Sequence, residues 1–214
     1  NLFGAQRFGH QGEFLTALTQ KFRGLKIPKA SKGKKQRRLP NKYQWAFSEL
    51  RSLFFNEALA KRQSLVEHWR QPMLGDVLQL AGRQSCFAWV DETETTTTDM
   101  ITRAKTFDVF VTGPLVGHQG KAVLPEGIES EIESELWSLI DPDLQGLLEH
   151  YQSQVRRPYV ACAQDFKLLS WDSDAFTCAF ELNKGVYATV FLSQCVELVE
   201  QSHHRLNHED STDE

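Results

Sequence analysis

The stretch from Lys42 to Arg70 constrains the fold of this chain more than any other part of its sequence. Its apolar residues recur close to the 3.6-residue period of an α-helix, and Pro72 follows soon after them. The residues of this stripe are Trp45, Leu50, Leu53, Phe54, Ala58 and Leu65. The spacing therefore predicts one long helix that ends before the proline.

The segments that follow this helix have the length and the glycine boundaries of strands. Gly75–Gly82 is a short apolar run between glycines, and Cys86–Val90 is its expected hairpin partner. Thr95–Thr98 is polar and is predicted to be a loop tip, followed by a short helix. Further strands are predicted at 107–112, 158–163, 168–171 and 175–182.

Turns and helices alternate with these strands. Gly113–Gly117 contains Pro114 and is predicted to be a rigid turn. Acidic residues stand beside apolar ones through 129–149, which predicts one or two amphipathic helices with a break near Pro142. Residues 186–195 begin with a strand-like pattern and are expected to finish as a helix.

Charge is distributed unevenly along the chain, although its net value is only −4. Up to Arg70 there are 15 basic and 4 acidic residues, whereas the remainder carries 9 basic and 24 acidic residues. From Lys21 to Arg38 there are nine basic residues and no acidic one. This run predicts either a polyanionic partner such as a nucleic acid or a solvated loop that binds nothing.

Composition excludes several classes of protein. A chain of 214 residues with 41% hydrophobic and 24% charged residues has the make-up of an ordinary globular protein. It contains no apolar run of eighteen residues and no charged-then-apolar leader, so neither a membrane span nor a signal peptide is expected. The cysteines lack the CxxC spacing of zinc or redox sites, which predicts buried free thiols in a reducing cytoplasm for Cys86, Cys162, Cys178 and Cys195.

The first nine residues, Asn1–Gly9, form the most specific motif of the sequence. They read N-L-F-G-A-Q-R-F-G, and the two glycines allow backbone angles that favour a loop able to present side chains to a ligand. A terminal strand and turn is the structural alternative. The segment closely resembles the N-[YF]-F-G-x-Q-R-F-G signature of the TruD family of tRNA pseudouridine synthases, with Leu2 in place of the usual aromatic residue.

Four further segments resemble motifs of the same family, in the expected order. Arg51–Asn56 is similar to its R-S-x-L-F-N helix, and Gly75–Gly82 matches its G-D-x-L-Q-L-A-G stretch. Thr112–Leu115 resembles a T-G-P-L turn, and Gly185–Thr189 is similar to a G-S-[YF]-A-T segment. Five motifs spread along one chain make a chance resemblance implausible.

The resemblance implies an α/β (α+β) fold built from two domains. A pseudouridine synthase catalytic domain with a mixed, largely antiparallel sheet would carry an inserted α/β TRUD domain. On this chain the catalytic domain would comprise residues 1–26 and 162–214, the latter ending in a frayed tail. The inserted domain would span residues 27–161, and RNA is expected in the cleft between the two domains.

The activity that the resemblance implies is that of a tRNA pseudouridine synthase, an isomerase acting on a uridine at position 13 in the D arm. The reaction needs an aspartate near the sugar and a pocket that retains the detached base, but no metal or small-molecule cofactor. In the family this aspartate lies in a G-x-K-D segment before the N-terminal motif, and this sequence contains no Lys-Asp pair. We therefore expect no catalytic residue in this chain, a nucleophilic aspartate upstream of Asn1, and an inactive fragment when the chain is alone.

The aspartates within the sequence are expected to have other roles. The Gly-Asp context of Asp76 suits a turn. Surface turns explain Asp165, Asp172 and Asp174 in the same way.

The resemblance also implies which residues line the active-site pocket and contact RNA. Asn1 would offer hydrogen bonds near the catalytic carboxylate, and Phe3 and Tyr187 would offer aromatic faces, with ordinary core packing as the alternative for both rings. Arg7 is equally compatible with a phosphate contact and a buried ion pair. Phosphate contacts are predicted for Arg7, Lys32, Lys34, Lys35, Arg37 and Arg38.

Two departures from the family pattern leave alternatives open. His10–Glu13 stands where the family often has a glycine and asparagines, and Ser193–Gln194 stands in place of an Arg-Glu pair. Either change could be neutral or could impair RNA binding.

The alternatives to a fragment of a pseudouridine synthase are a non-catalytic RNA-binding module and an inactive remnant. The expected partner is tRNA, and the chain is expected to be a cytoplasmic monomer without membrane contact.

Overall fold

The computed structural model describes residues 1–4, 8, 41–90, 93–173 and 175–197. The basic run between Lys21 and Arg38 lies outside these ranges. Within the described part of the chain, none of the helices combines the length and the apolar character that a membrane crossing requires.

One long helix, α1 (Asn41–Leu65), forms where the apolar periodicity predicts it. Leu50, Phe54 and Ala58 of the predicted stripe are buried, whereas Trp45 and Leu65 are exposed. Phe55, which the predicted stripe did not include, is wholly shielded from solvent. The helix ends earlier than the proline that the sequence analysis took as its limit. Beyond it, the chain folds back over the Arg62 side chain, whose guanidinium donates to the carbonyl oxygens of Trp69 at 2.9 Å and Gln71 at 3.2 Å.

Helix α1 packs against an antiparallel sheet of four strands in the order β2-β1-β3-β4. Leu78 of the first strand pairs with Phe87 on one side and with Val111 on the other, and the first pairing confirms the predicted hairpin. These strands are β1 (Val77–Leu80), β2 (Cys86–Ala88), β3 (Val109–Leu115) and β4 (Val155–Pro158).

The third strand corrects the prediction of a turn at Gly113–Gly117. Strand β3 continues to Leu115, because Pro114 and Leu115 pair with Arg156 and Val155 of β4. The last strand of the sheet accordingly lies at Val155–Pro158 and not at the predicted 158–163. A T-G-P-L sequence looks like a turn when it is read locally, but its long-range pairing makes it a strand.

Helix α2 (Glu94–Lys105) begins earlier than predicted. The threonines at 95–98, predicted to be a loop tip, form its first turns. The reason is the cap at Thr93, whose Oγ1 accepts a hydrogen bond from the backbone N–H of Thr96 at 3.3 Å. A capping hydroxyl offsets the weak helix propensity of the threonines that follow it.

The predicted break near Pro142 is confirmed. It separates α3 (Gly127–Ser138) from α4 (Pro142–Tyr151). Proline suits the first position of a helix because its missing N–H would have no partner there. The carboxylate of Asp141 caps the second helix by accepting the backbone N–H of Asp143 at 3.0 Å.

The remaining strands form a separate hairpin of β5 (Gln164–Trp171) and β6 (Phe176–Glu181). It is followed by a short helix, α5 (Ala188–Leu192), where the sequence predicted a strand-like start. The helical turn carries Phe191 back onto the hairpin, with its ring centroid 4.9 Å from that of Phe180. This aromatic contact favours a helix over a further strand.

Among the described residues, two apolar clusters form the core, and α1 contributes to both. One cluster joins Phe47 and Phe54 to Leu147 and Leu148 of α4. The other joins Phe55 and Leu59 to the sheet residues Leu78 and Val111. A single long helix therefore ties the sheet to the helical part of the molecule.

The cysteines are free thiols, as predicted, but their predicted burial is wrong. Cys195 is exposed and the other three cysteines are only half-buried. Cys86 lies on β2 at the edge of the sheet, where a strand is covered less completely than at the centre.

Candidate functional site

The half-buried Arg157 on β4 joins residues from opposite ends of the sequence. Its Nη2 donates to Asn1 Oδ1 at 2.6 Å, to the Asn1 carbonyl oxygen at 3.1 Å and to the Gly185 carbonyl oxygen at 2.8 Å. The Asn1 carboxamide in turn donates to the carbonyl oxygen of Pro158 at 2.8 Å. A planar guanidinium fixes its acceptors at defined angles, so Asn1 and Gly185 are held side by side.

Aromatic rings surround the same arginine. The Arg157 guanidinium carbon lies 4.1 Å from the centroid of the Phe3 ring and 5.5 Å from that of Phe55. Phe3 meets Tyr187 edge-to-face at 5.9 Å and Phe55 at 5.6 Å. Cation–π and edge-to-face contacts of this kind favour one defined arrangement of the rings. Phe3 is buried and Tyr187 is half-buried, so Tyr187 presents the more accessible face.

The R-S-x-L-F-N motif anchors this site through two polar side chains. The carboxamide of Asn56 accepts the backbone N–H of Phe3 at 2.9 Å and donates to its carbonyl oxygen, also at 2.9 Å. Arg51 donates to the carbonyl oxygens of Leu115 at 2.9 Å and Ser153 at 2.8 Å, and burial lowers its pKa to about 10. The motif therefore fixes the backbone path of the N-terminal segment and of the loop before β4.

A cleft of about 470 Å³ opens beside Asn1 and Arg157. Its wall includes Gln79 of β1 and the Gly185–Val186 segment that precedes Tyr187. The described residues that line it include amides and cations but no aspartate or glutamate. Nor do the described residues form a group of three or more His, Cys, Asp or Glu side chains suited to a metal ion. These residues can orient a polar ligand, but they supply no carboxylate for acid–base chemistry.

A buried ionic cluster lies within the same core. The guanidinium of Arg62, on α1, holds both carboxylate oxygens of Asp76 at 2.7 and 2.8 Å and Glu129 Oε2 at 2.9 Å. All three side chains are almost completely shielded from solvent. Burial alone would lower the pKa of Arg62, but the hydrogen bonds and charges of the two carboxylates raise it. Burial also raises the pKa of Glu129, despite the attraction of Arg62. The three side chains are therefore closely paired.

Tyr159 connects this ionic cluster to the candidate site. Burial and the neighbouring Glu129 raise the pKa of Tyr159 well above its ordinary value, so its hydroxyl stays protonated and donates a hydrogen bond to Glu129. The Tyr159 ring lies 5.2 Å from that of Phe55, and its carbonyl oxygen accepts a hydrogen bond from the backbone nitrogen of Asn1 at 2.7 Å. A disturbance of the ionic cluster would therefore reach Asn1 and Phe3.

One turn further along α3, Glu133 pairs with Arg156 of β4 at 2.8 Å. Burial raises the pKa of Glu133 from 4.5 to about 7, because the attraction of Arg156 offsets only part of the desolvation. The folded chain therefore holds this proton more tightly than the unfolded chain. The resulting stabilisation is fully present below pH 4.5 and is lost as the pH rises through about 7.

This shift predicts a specific pH dependence of stability. Between pH 5.5 and 8 the wild-type chain is expected to lose about 2 kcal/mol of its free energy of unfolding through Glu133. The variant Glu133→Gln cannot titrate and should lack that loss, which urea unfolding at several pH values would measure. Glu135→Gln, at an exposed position of the same helix, is the control and should follow the wild-type curve. Parallel curves for the wild type and Glu133→Gln would contradict the assignment.

The residues predicted for the site fall into two groups. Asn1, Phe3 and Tyr187 lie together, joined directly or through Arg157. The predicted phosphate-binding residues lie outside the described part of the chain, so their role stays a prediction. They are Arg7, Lys32, Lys34, Lys35, Arg37 and Arg38.

The aspartates that were predicted to lie in turns have different environments in the structure. Asp76 closes a turn, as predicted, since its backbone N–H donates to the carbonyl oxygen of Met73 at 3.0 Å. Its carboxylate is in addition buried and ion-paired with Arg62. Asp165 lies on β5 with a φ of 50°, next to an irregularity in strand pairing, and Asp172 is exposed after the strand. Asp174 lies outside the described residues.

Neither Arg157 nor Arg62 was predicted from the sequence to belong to the site. A signal existed for Arg62, since it follows Ala58 by four positions and Leu59 by three and so extends the buried face of α1. A charged residue on such a face needs buried partners. For Arg157 the signal is weaker, because its partners Asn1 and Gly185 are remote in sequence.

The family model described as tRNA pseudouridine synthase D (TruD) matches residues 31–195 of this chain. Among curated proteins, the tRNA pseudouridine synthase D of Shewanella oneidensis is 32% identical over 199 residues, which cover 92% of this chain and 48% of the relative. That of Chromohalobacter salexigens is 32% identical over 198 residues, covering 92% of this chain and 52% of the relative. The chain therefore spans about half the length of the curated relatives that it matches.

A solved structure from Methanosarcina mazei that carries the same family name is similar in fold. The TM-score is 0.54 with 20% sequence identity, and the match covers 73% of this chain and 38% of the other. The predicted α+β fold class, with its antiparallel sheets, is confirmed.

Proposed function

Because this chain belongs to the TruD family of tRNA pseudouridine synthases, we propose that it forms part of an enzyme that isomerises a uridine of tRNA, at position 13 of the D arm. The bond between N1 of uracil and C1′ of ribose breaks, and a bond from C5 to C1′ forms. C5 loses a proton and N1 gains one, so the product is an isomer of the substrate. The step needs no metal or small-molecule cofactor.

The candidate site would hold the base during this exchange. Tyr187 would offer an aromatic surface and Asn1 a carboxamide. Phe3 is packed in the core and supports the Tyr187 ring, and Arg157 contacts both Asn1 and Phe3. The observation that carries the proposal is the hydrogen bonding of Arg157 to both Asn1 and Gly185, which joins two family motifs at the wall of one cleft. Extrusion of the target base into such a pocket is a general requirement of base-modifying enzymes.

The nucleophilic aspartate is proposed to come from a part of the enzyme that this chain does not include. Two observations support this assignment: the described cleft residues include no carboxylate, and the chain spans about half of its relatives. The chain alone is accordingly proposed to be inactive. A non-catalytic RNA-binding module, favoured by the same lack of a carboxylate in the cleft, is the second candidate.

The domain division at residues 27–161 and 162–214 is also a proposal, supported by the separation of the four-stranded sheet from the β5–β6 hairpin. Residues 1–26 would belong to the same domain as residues 162–214.

The partner is proposed to be tRNA, bound by a monomer. Phosphate contacts would come in part from Arg7 and the basic residues at 32–38.

The test is pseudouridine formation in tRNA by the protein that carries this chain, measured by mass spectrometry. Arg157→Gln should lower kcat/KM by about 100-fold, because a misplaced pocket wall loses alignment with the reacting atoms. Arg157→Lys keeps the charge but cannot hold Asn1 and Gly185 together, so it should be similarly impaired. Lys61→Gln, at an ion-paired position on α1, is the control.

Thermal melts of the same variants separate a local effect from unfolding. If the wild-type protein binds tRNA but forms no pseudouridine, the binding-module candidate replaces the enzyme. If Arg157→Gln remains folded and fully active, the assignment of this site is wrong.

A further inference from the structure

A second cleft adjoins the one beside Asn1. It measures about 790 Å³, and the two clefts share four lining residues, so they lie side by side at the four-stranded sheet. The shared residues are Gln79, Gln84, Arg157 and Pro158. We call the adjoining clefts the sheet groove.

The charges that line the sheet groove have one sign. Its described lining includes five of the nine basic residues that follow Arg70 and no aspartate or glutamate. The same part of the sequence carries 24 acidic residues, so the absence of acidic side chains from this lining does not follow from composition. A groove of this kind attracts a polyanion. The basic residues are Arg83, Lys121, Arg156, Arg157 and Lys184.

Two stacked phenylalanines line the sheet groove: Phe107, which follows α2, and Phe110, which lies on β3. The ring centroids of Phe107 and Phe110 are 6.5 Å apart and their planes differ by 26°. The Phe107 side chain is about half exposed, at 51%. The backbone N–H of Ala81 donates to the carbonyl oxygen of Asp108 at 2.9 Å, which sets this pair beside the turn that carries Arg83. An exposed aromatic face therefore lies next to a cation.

Phe107 adopts a backbone conformation that a bulky residue avoids. Its φ is 59°, in the left-handed region that favours glycine and asparagine. Burial cannot account for a phenylalanine here, because half of its surface is exposed. The conformation closes α2, because the N–H of Phe107 donates to the carbonyl oxygen of Ala104 at 3.2 Å. The N–H of Asp108 likewise donates to the carbonyl oxygen of Arg103 at 2.8 Å. Helix ends of this kind favour glycine or asparagine at this position, so a half-exposed phenylalanine is an uncommon choice there.

We propose that the Phe107–Phe110 pair stacks an unpaired base of a single-stranded RNA segment whose phosphates lie along Arg83, Lys121 and Lys184. This inference rests on the proposed function, since it adds a second contact point for the RNA substrate outside the base pocket. Aromatic faces combined with a cationic groove are the common means of holding single-stranded RNA. Asp108 also lies nearby, but its carboxylate forms a salt bridge with Arg103 at 2.6 Å. Its negative charge is therefore compensated and does not repel the phosphates.

The decisive variant is Phe107→Asn, because asparagine accepts the left-handed backbone but has no ring. If the ring binds RNA, this variant should melt at the same or a higher temperature and yet bind an eight-residue oligouridylate about tenfold more weakly. Phe107→Trp keeps an aromatic face and should bind at least as well as the wild type. Fluorescence anisotropy of a labelled oligouridylate measures the Kd for the protein that carries this chain.

An abasic ribose-phosphate oligomer of the same length provides the matched probe. It has the charges but not the bases, so Phe107→Asn should leave its Kd unchanged. Salt dependence separates the phosphate contacts, because Arg83→Gln and Lys184→Gln should each reduce the slope of log Kd against log salt by about 0.7. Phe107→Asn should leave that slope at the wild-type value, and Lys61→Gln is the control for both measurements.

The outcomes distinguish this inference from the proposed function. If the wild-type protein does not bind oligouridylate at low salt, or if Phe107→Asn binds it as well as the wild type, the stacking site is overturned. An equal loss of affinity for the abasic probe also overturns it. The proposed function is judged separately, by pseudouridine formation and its dependence on Arg157.

Discussion

Replacing Arg62 by methionine is expected to destabilise the fold by about 3–5 kcal/mol. The substitution removes the cation that both Asp76 and Glu129 require and leaves two carboxylates inside the core without a counter-charge. It also frees the carbonyl oxygens of Trp69 and Gln71, which the guanidinium now binds. Urea unfolding followed by circular dichroism would measure the loss.

Two further variants make this result interpretable. Lys61→Met changes the neighbouring residue, whose partner Glu135 is largely exposed, and should alter the free energy of unfolding by less than about 0.5 kcal/mol. Adding Asp76→Leu and Glu129→Leu to Arg62→Met removes all three charges and should restore much of the stability. If Arg62→Met alone were as stable as the wild type, the cluster would not be the structural anchor described above.

The second large effect is expected for Gly113→Ala, with a destabilisation of about 3 kcal/mol. A Cβ at this position would lie only 2.5 Å from both Cζ and the hydroxyl oxygen of Tyr159. The Tyr159 side chain is fully buried and cannot move aside without breaking its hydrogen bond to Glu129. Thermal unfolding would show the loss as a lower Tm.

A matched glycine separates this steric effect from backbone strain. Gly82 has open space around its Cβ position but a φ of 69°, so Gly82→Ala should cost only about 1 kcal/mol. Combining Gly113→Ala with Tyr159→Leu should destabilise the chain by less than the sum of the two single changes, because the clash is then absent. Strict additivity of the pair would count against the predicted contact.

The sequence was sufficient to predict features that depend on local pattern. The periodicity of α1, the hairpin of β1 and β2, and the break at Pro142 all follow from spacing and backbone preference within a few residues. Motifs also predicted that Asn1, Phe3 and Tyr187 line one pocket; the three residues lie close together, and their role in a pocket stays a prediction. The geometry that unites them could not be predicted, because it depends on Arg157, whose partners lie about 30 and 156 positions away.

The errors arose where long-range contacts outweigh local preference. A Gly-Pro pair at 113–114 has the local pattern of a turn, but β4 supplies a partner strand and β3 continues through it. Asp76 closes a turn, as its Gly-Asp context predicted, but its burial could not be predicted locally because the cation that pairs with it lies on α1. Neither partner is adjacent in sequence, so no local window contains the deciding interaction.

The two hydrogen bonds from Asn56 to the backbone of Phe3 have a consequence for how this segment can evolve. The carboxamide recognises a peptide N–H and a carbonyl, which every residue except proline provides. Position 3 can therefore exchange one ring for another without changing the route of the chain. Asn56 has no such freedom, since aspartate lacks the donor and glutamine is one carbon longer. The ring at position 3 is therefore free to diversify, whereas the carboxamide that guides the backbone is not.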